Sequence, residues 1–121
     1  MTHRHALLAG CVVLVVEDEP LVGLDIAQAL TSCGAQVVLT RTAADAMVSV
    51  DQTSPSAAVL DINLGSHDCS AVCQYLRARD IPFLFLTGYS NTLEGWSDIP
   101  LLSKPATAPQ IIDAIVNLLK A

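Results

Sequence analysis

The sequence predicts an α/β fold, a doubly wound sandwich of five βα units around a five-stranded parallel sheet with strand order 2-1-3-4-5. Short apolar runs alternate with amphipathic segments along the whole chain, which is the pattern of repeated βα units. A length of 121 residues with 52% hydrophobic content suits one domain with a proper core. We therefore expect a short N-terminal extension over residues 1–10 and one domain over residues 11–121.

The strands are predicted from apolar runs bounded by turn-forming residues. These runs are Val12–Val16, Gln36–Thr40, Ala57–Leu60, Phe83–Leu86 and Leu101–Ser103.

Helical periodicity fills the gaps between the strands. The first helix is predicted over Leu21–Ser32, with Gly34 as its C′ residue. The second begins after Thr42 as N-cap, and the third covers Cys69–Arg79.

The last helix and the segment before it show contrasting signals. Thr107 and Gln110 have the spacing of a capping box, and an apolar stripe follows them at Ile111, Ile112, Ile115, Leu118 and Leu119. Between Asn91 and Pro100 the periodicity fails, so the fourth helix is expected to be short or mobile. The first residues, which include His3 and His5, are expected to be disordered.

Charge and cysteine usage exclude some classes of function. Twelve acidic residues against six basic ones give a net charge of −6, and no two basic residues are adjacent, so a nucleic-acid surface is not expected. The four cysteines form no C-x-x-C motif, which predicts reduced thiols and a cytoplasmic protein. The longest apolar stretch, Leu7 to Val16, is shorter than the roughly 20 residues that span a bilayer, so membrane insertion is not expected.

Polar side chains follow four of the five predicted strands. Glu17, Asp18 and Glu19 come after the first strand, Asp61 after the third, Thr87 after the fourth and Lys104 after the fifth. Ligands of open parallel sheets bind beyond the carboxyl ends of the strands, where these residues would meet. Adjacent carboxylates repel one another, so their grouping favours a cation site.

Each of these residue types suits one part of phosphoryl-transfer chemistry. Carboxylate oxygens are ligands for Mg²⁺, and an aspartate such as Asp61 can attack a phosphoryl group to form an acyl phosphate. Lys104 and Thr87 could hold the phosphoryl oxygens by charge and by hydrogen bonding. Any one of these residues alone is more simply a loop or turn residue, but their joint placement favours a site.

The set resembles that of the receiver domains of two-component response regulators, and the resemblance runs from Val12 to Leu119. It is carried by Glu17-Asp18, by Asp61 within Val59-Leu-Asp-Ile-Asn-Leu-Gly65, by Thr87 and by Lys104-Pro105.

The resemblance implies a flavodoxin-like fold and a phosphoryl group accepted on Asp61. It implies that Mg²⁺ is bound by Glu17, Asp18, Asp61 and the backbone carbonyl of Asn63, and that Lys104-Pro105 is a candidate cis peptide. The partners implied are a histidine kinase or phosphotransfer protein and a downstream protein, with the chain a monomer or weak dimer. Phosphoryl acceptance and autodephosphorylation, with Asn63 and Tyr89 flanking the water, would be its only chemistry, so it is not expected to be an enzyme.

Two departures from the family pattern point to a subtype. Leu101 stands where the family usually has the Tyr or Phe of its switch, so the signal is expected to travel through the segment after Thr87. The run Phe85-Leu-Thr-Gly-Tyr89 is similar to the Phe-Ala-Thr-Gly-x-Tyr motif of a subgroup of stand-alone receivers, although Leu86 replaces Ala and the Tyr comes one position early.

Two other functions remain open from the sequence. A pseudo-receiver that binds a partner without taking phosphate is compatible with Leu101. An aspartyl-phosphate phosphatase of the haloacid dehalogenase type also uses an aspartate after a strand, but it wants an acid two residues later, where this chain has Asn63.

Overall fold

A computed structural model describes residues 6–62, 69–88 and 95–120 and shows a five-stranded parallel sheet in the order β2-β1-β3-β4-β5. The elements are β1 (Val12–Val16), α1 (Pro20–Thr31), β2 (Gln36–Thr40), α2 (Ala43–Thr53), β3 (Ala57–Asp61), α3 (Ser70–Ala78), β4 (Phe83–Thr87), β5 (Leu101–Ser103) and α4 (Ala108–Lys120). The predicted fold class, strand order and five strands are confirmed.

β3 and β4 each extend one residue beyond their predicted ends. Asp61 pairs with Leu86 in the parallel register, and Thr87 pairs with Ser103. Both polar residues are thus the last residues of their strands rather than loop residues. The backbone ladder fixes their positions at the carboxyl edge of the sheet.

Two hydrophobic cores cover the two faces of the sheet. On one face α1 and α4 pack over β1 and β4, with Ile26 and Ile115 among the buried residues. On the other face α2 and α3 pack over β1 and β3, with Val50 and Leu76 buried. Every residue of β3 and β4 is buried, which is the pattern of central parallel strands covered on both sides.

The helix starts follow the predicted capping chemistry. Thr42 Oγ1 accepts a hydrogen bond from the Asp45 N–H at 3.1 Å and so caps α2. Before α4, the Thr107 N–H donates to Gln110 Oε1 at 2.8 Å, and the Gln110 N–H donates to Thr107 Oγ1 at 3.3 Å. This reciprocal pair is the predicted capping box.

The end of α1 differs from the prediction. The C-cap is Ser32, so Cys33 is the C′ residue and Gly34 lies one position further along the chain. Gly34 has a φ of +93°, so the left-handed turn that its missing Cβ permits comes one residue later than expected.

The segment between β4 and β5 forms no helix over its described residues, Gly88 and 95–100, which are bends, turns and irregular structure. The rest of the predicted fourth helix, like His3 and His5, lies outside the described residues. Trp96 is buried, and its ring centroid lies 6.0 Å from that of Phe83. Arg77 lies over the same indole, with its guanidinium carbon 4.4 Å from the ring centroid.

The start of the chain is attached to the core from Leu8 onward. The Leu8 side chain is buried, and its N–H donates to the Cys33 carbonyl at 2.8 Å. All four cysteines are free thiols, as predicted. No helix in the described part of the chain has the length and apolar character needed to cross a bilayer.

Candidate functional site

The carboxyl edge of the sheet gathers the polar residues that end neighbouring strands. Glu17 follows β1, its N–H donates to the Thr40 carbonyl at 3.0 Å, and its side chain is 1% exposed. Asp61 ends β3 at 2% exposure, and Thr87 ends β4 fully buried. The Lys104 N–H donates to the Thr87 carbonyl at 2.7 Å, which extends the ladder past β5 and brings the lysine to the same edge.

The Lys104 ammonium stands at the centre of this site. Its Nζ lies 3.0 Å from Glu17 Oε1, and it donates hydrogen bonds to Glu19 Oε1 at 3.2 Å and to Asp61 Oδ2 at 3.4 Å. The Lys104-Pro105 peptide is cis, as the family resemblance implied. One cation therefore contacts three carboxylates that come from two strand ends and a helix start.

Burial sets the acidity of Glu17. Loss of solvent raises its pKa from 4.5 to about 7, Lys104 acts in the opposite direction, and the Asp61 carboxylate adds to the rise. Burial alone would lower the pKa of Lys104, but its contacts with Glu17, Asp61 and Glu19 outweigh burial and raise it. The lysine is therefore held in its charged form.

One buried oxygen of Glu17 lacks a hydrogen bond within the described residues. Glu17 Oε1 lies 3.0 Å from Lys104 Nζ in an ion pair that does not have the geometry of a hydrogen bond. A buried carboxylate oxygen without a donor is costly unless a cation reaches it. The Lys104 ammonium supplies that cation here, and a bound metal ion would meet the same requirement.

The carboxylate oxygens of Glu17, Glu19 and Asp61 lie within 4.8 Å of one another in the part of the chain that the structure describes. Hard oxygen donors at this spacing fit Mg²⁺, which also keeps several waters and a phosphate oxygen in its coordination shell. The donor set is therefore compatible with the ion that the family resemblance implies.

The predicted Mg²⁺ ligands differ in whether their carboxylates lie in this group of three. Asp18 is half-buried and its carboxylate is outside the group of three, while its backbone carbonyl accepts a 3.4 Å hydrogen bond from Arg41 Nη2. Asn63 lies outside the described residues, as does Tyr89. Glu19 was grouped with Glu17 and Asp18 in the sequence but was not among the expected Mg²⁺ ligands, and in the structure its carboxylate joins the group.

Leu101 occupies the position of the usual switch aromatic. It pairs with Phe85 in the register of β4 and β5, and its half-buried side chain packs against the core that contains Trp96. An aliphatic side chain thus fills this place at the edge of the core.

Residues 13–116 match the family described as response regulator receiver domain. The chain belongs to this family.

Two curated relatives are regulators. The chain is 30% identical over 112 residues to the phyllosphere-induced regulator PhyR of Methylorubrum extorquens. This match covers 87% of the chain and 42% of PhyR. It is 28% identical over 111 residues to the acid tolerance regulatory protein ActR of Sinorhizobium medicae, covering 86% of the chain and 57% of ActR. The chain thus spans about half the length of these relatives.

Solved structures show the same architecture. PhyR of Brucella abortus matches with a TM-score of 0.81 and 28% identity, over 98% of the chain and 51% of PhyR. PhyR of Bartonella quintana, which is described as an anti-anti-sigma factor, matches with a TM-score of 0.79 and 34% identity, over 91% of the chain and 47% of that protein. The receiver domain of NarL from Mycobacterium tuberculosis matches with a TM-score of 0.81 at 21% identity, over 93% of the chain and 98% of that domain, and supports the fold alone.

Proposed function

We propose that this receiver domain accepts a phosphoryl group on Asp61 in a Mg²⁺-dependent reaction and signals through phosphorylation-dependent protein binding or phosphate shuttling. The observation that carries the proposal is the contact of the buried Asp61 carboxylate with Lys104, 3.4 Å from Oδ2 to Nζ, beside Glu17 and its buried oxygen. A nucleophile, a fixed cation and a set of metal-binding oxygens meet at one edge of the sheet.

The proposed transfer step forms one bond to phosphorus and breaks another. An oxygen of Asp61 attacks the phosphorus of a phosphohistidine, the new O–P bond forms, and the P–N bond breaks with its electron pair going to the imidazole. Lys104 is placed to neutralise charge on the transferred group, and Thr87 at the end of the adjacent strand β4 is proposed to donate a hydrogen bond to it. Mg²⁺, when bound, supplies further charge neutralisation at the phosphoryl oxygens.

Glu17, Asp18 and Asp61, with the carbonyl of Asn63, remain the proposed ligands for Mg²⁺. In this proposal the phosphoryl group later leaves to water, and the protein transforms no other substrate.

The proposed partners are proteins. A histidine kinase or phosphotransfer protein would supply the phosphoryl group, and a downstream protein would bind the phosphorylated form. The description of the Bartonella relative as an anti-anti-sigma factor supports a protein partner, and the net charge of −6 argues against nucleic acid. We place the reaction in the cytoplasm, where the four free thiols would stay reduced.

Intact-protein mass spectrometry after incubation with acetyl phosphate and Mg²⁺ tests the proposal. The expected result is a gain of one phosphoryl group that is lost with EDTA and in Asp61→Asn. An unmodified wild-type protein would contradict the proposal and would favour a pseudo-receiver. Steady release of phosphate from small phosphate esters would instead indicate a phosphatase.

A further inference from the structure

Glu19 uses its carboxylate in an unusual way for a residue at a helix start. It is the N-cap of α1, where side-chain oxygens usually accept a hydrogen bond from the first turn, yet its side chain makes no such bond. Its Oε1 instead accepts a hydrogen bond from Lys104, which lies 85 residues further along the chain. The carboxylate is therefore committed to the site and not to the helix.

Glu19 also differs in exposure from the other two partners of Lys104. Its side chain is 63% exposed, against 1% for Glu17 and 3% for Asp61. Exposed ion pairs are weak and open readily, whereas a buried carboxylate cannot leave its partner without a large desolvation cost. Of these three contacts, the one with Glu19 is the easiest to give up.

We propose that Glu19 is a positioning residue that holds the Lys104 ammonium in the unphosphorylated protein and releases it to the phosphoryl group arriving on Asp61. This inference rests on the proposed function. The single positive charge of this ammonium is shared among three carboxylates, so a phosphoryl oxygen meets a less neutralised Lys104 once one carboxylate withdraws. Glu19 can withdraw into solvent, and its charge meanwhile opposes the approach of an anionic phosphodonor.

Two substitutions separate the contact from the charge. Glu19→Gln keeps the size of the side chain but removes its charge and weakens its hold on Lys104. Glu19→Asp keeps the charge, shortens the reach by one methylene and favours capping of α1. Since the contact is the restraint, both variants are expected to accept phosphoryl groups from acetyl phosphate about two- to fivefold faster than wild type, the range that an exposed ion pair supports.

The experiment follows phosphorylation with time by intact mass at saturating Mg²⁺ and measures Mg²⁺ binding to the unphosphorylated proteins by calorimetry. Asp113→Asn, an exposed position on α4, is the matched control for loss of one negative charge. The expected result is faster phosphorylation of both Glu19 variants at saturating Mg²⁺, with the control equal to wild type.

Each other result overturns the inference in a recognisable way. If wild type gains no phosphoryl group, the proposed function fails and the inference fails with it. If wild type is phosphorylated and the Glu19 variants match its rate, only the inference fails. A parallel loss of Mg²⁺ affinity and rate would make Glu19 a metal ligand, and a faster Glu19→Gln beside an unchanged Glu19→Asp would reduce its role to charge alone.

Discussion

Lys104 Nζ lies 3.0 Å from Glu17 Oε1, so a residue that follows β5 neutralises a buried carboxylate that follows β1. Two other strands, β3 and β4, separate β1 from β5 in the sheet. The contact therefore spans most of the carboxyl edge and encloses Asp61 at the end of β3. The ammonium thereby offsets the mutual repulsion of the carboxylates at this edge.

Removal of the ammonium should destabilise the domain. In Lys104→Met the buried Glu17 carboxylate loses its cation, and breaking one half of a buried pair costs about 3 kcal/mol or more. Urea unfolding in EDTA at a pH well above 7, where the Glu17 carboxylate is ionised, is the measurement, with Lys120→Met on the exposed last turn of α4 as the matched control. A Lys104 variant as stable as the control would show that the ion pair does not support the fold.

Stability should fall as pH rises through the titration of Glu17. Its pKa is about 7 in the folded protein against 4.5 for the ordinary side chain, so folding favours the protonated form. The favourable contribution is fully present below pH 4.5 and is lost as pH rises through 7, with a size of about 3 kcal/mol.

Comparison with Glu17→Gln isolates this contribution because other carboxylates titrate in both proteins. Denaturant midpoints measured in EDTA across the same pH range should show wild type losing stability relative to the variant. Parallel pH curves for the two proteins would contradict the raised pKa of Glu17.

Added Mg²⁺ should reverse the destabilisation that the ionised carboxylates cause. A ligand at 100 times its Kd stabilises the folded state by about 2.7 kcal/mol, and the gain should vanish in EDTA. Asp18→Asn should weaken Mg²⁺ binding about tenfold or more, because Asp18 is one of the proposed ligands. Calorimetric titration is the measurement, and an Asp18 variant with wild-type affinity would remove that residue from the ligand set.

The strands and the site could be predicted because they share one cause. Central parallel strands are buried on both faces, so their sequences are runs of apolar residues. The first polar residue after each run marks the edge of the sheet where ligands bind. This reasoning identified Glu17, Asp61, Thr87 and Lys104, and the structure brings Glu17, Asp61 and Lys104 into contact.

Details that depend on the reach of a side chain or on a local turn could not be predicted from the sequence. The contact of Glu19 with Lys104 depends on a long side chain that turns away from its own helix, and no spacing rule encodes that choice. The extra strand residues Asp61 and Thr87 follow from the register with β4 and β5, which only the assembled sheet defines. The one-residue gap between the expected C′ position and Gly34 follows from the last turn of α1, in which the Cys33 N–H donates to the Leu30 carbonyl.

Trp96 should report phosphorylation if the signal leaves the site through the segment after β4. Its buried indole packs against Phe83 and Arg77 and belongs to the core that Leu101 packs against, so a shift of this segment should change the indole emission. Fluorescence is recorded before and after addition of acetyl phosphate with Mg²⁺. Asp61→Asn should show no change, and an unresponsive wild-type indole in a phosphorylated sample would place the signal elsewhere.

The most direct test of the central claim locates the phosphoryl group on the chain. Borohydride reduces an aspartyl phosphate to homoserine, so peptide mass spectrometry of the phosphorylated and reduced protein reads out the modified position. The account predicts homoserine at position 61 alone, dependent on Mg²⁺ during phosphorylation. Homoserine at Asp18, or a reduced protein with Asp61 unchanged, would contradict it.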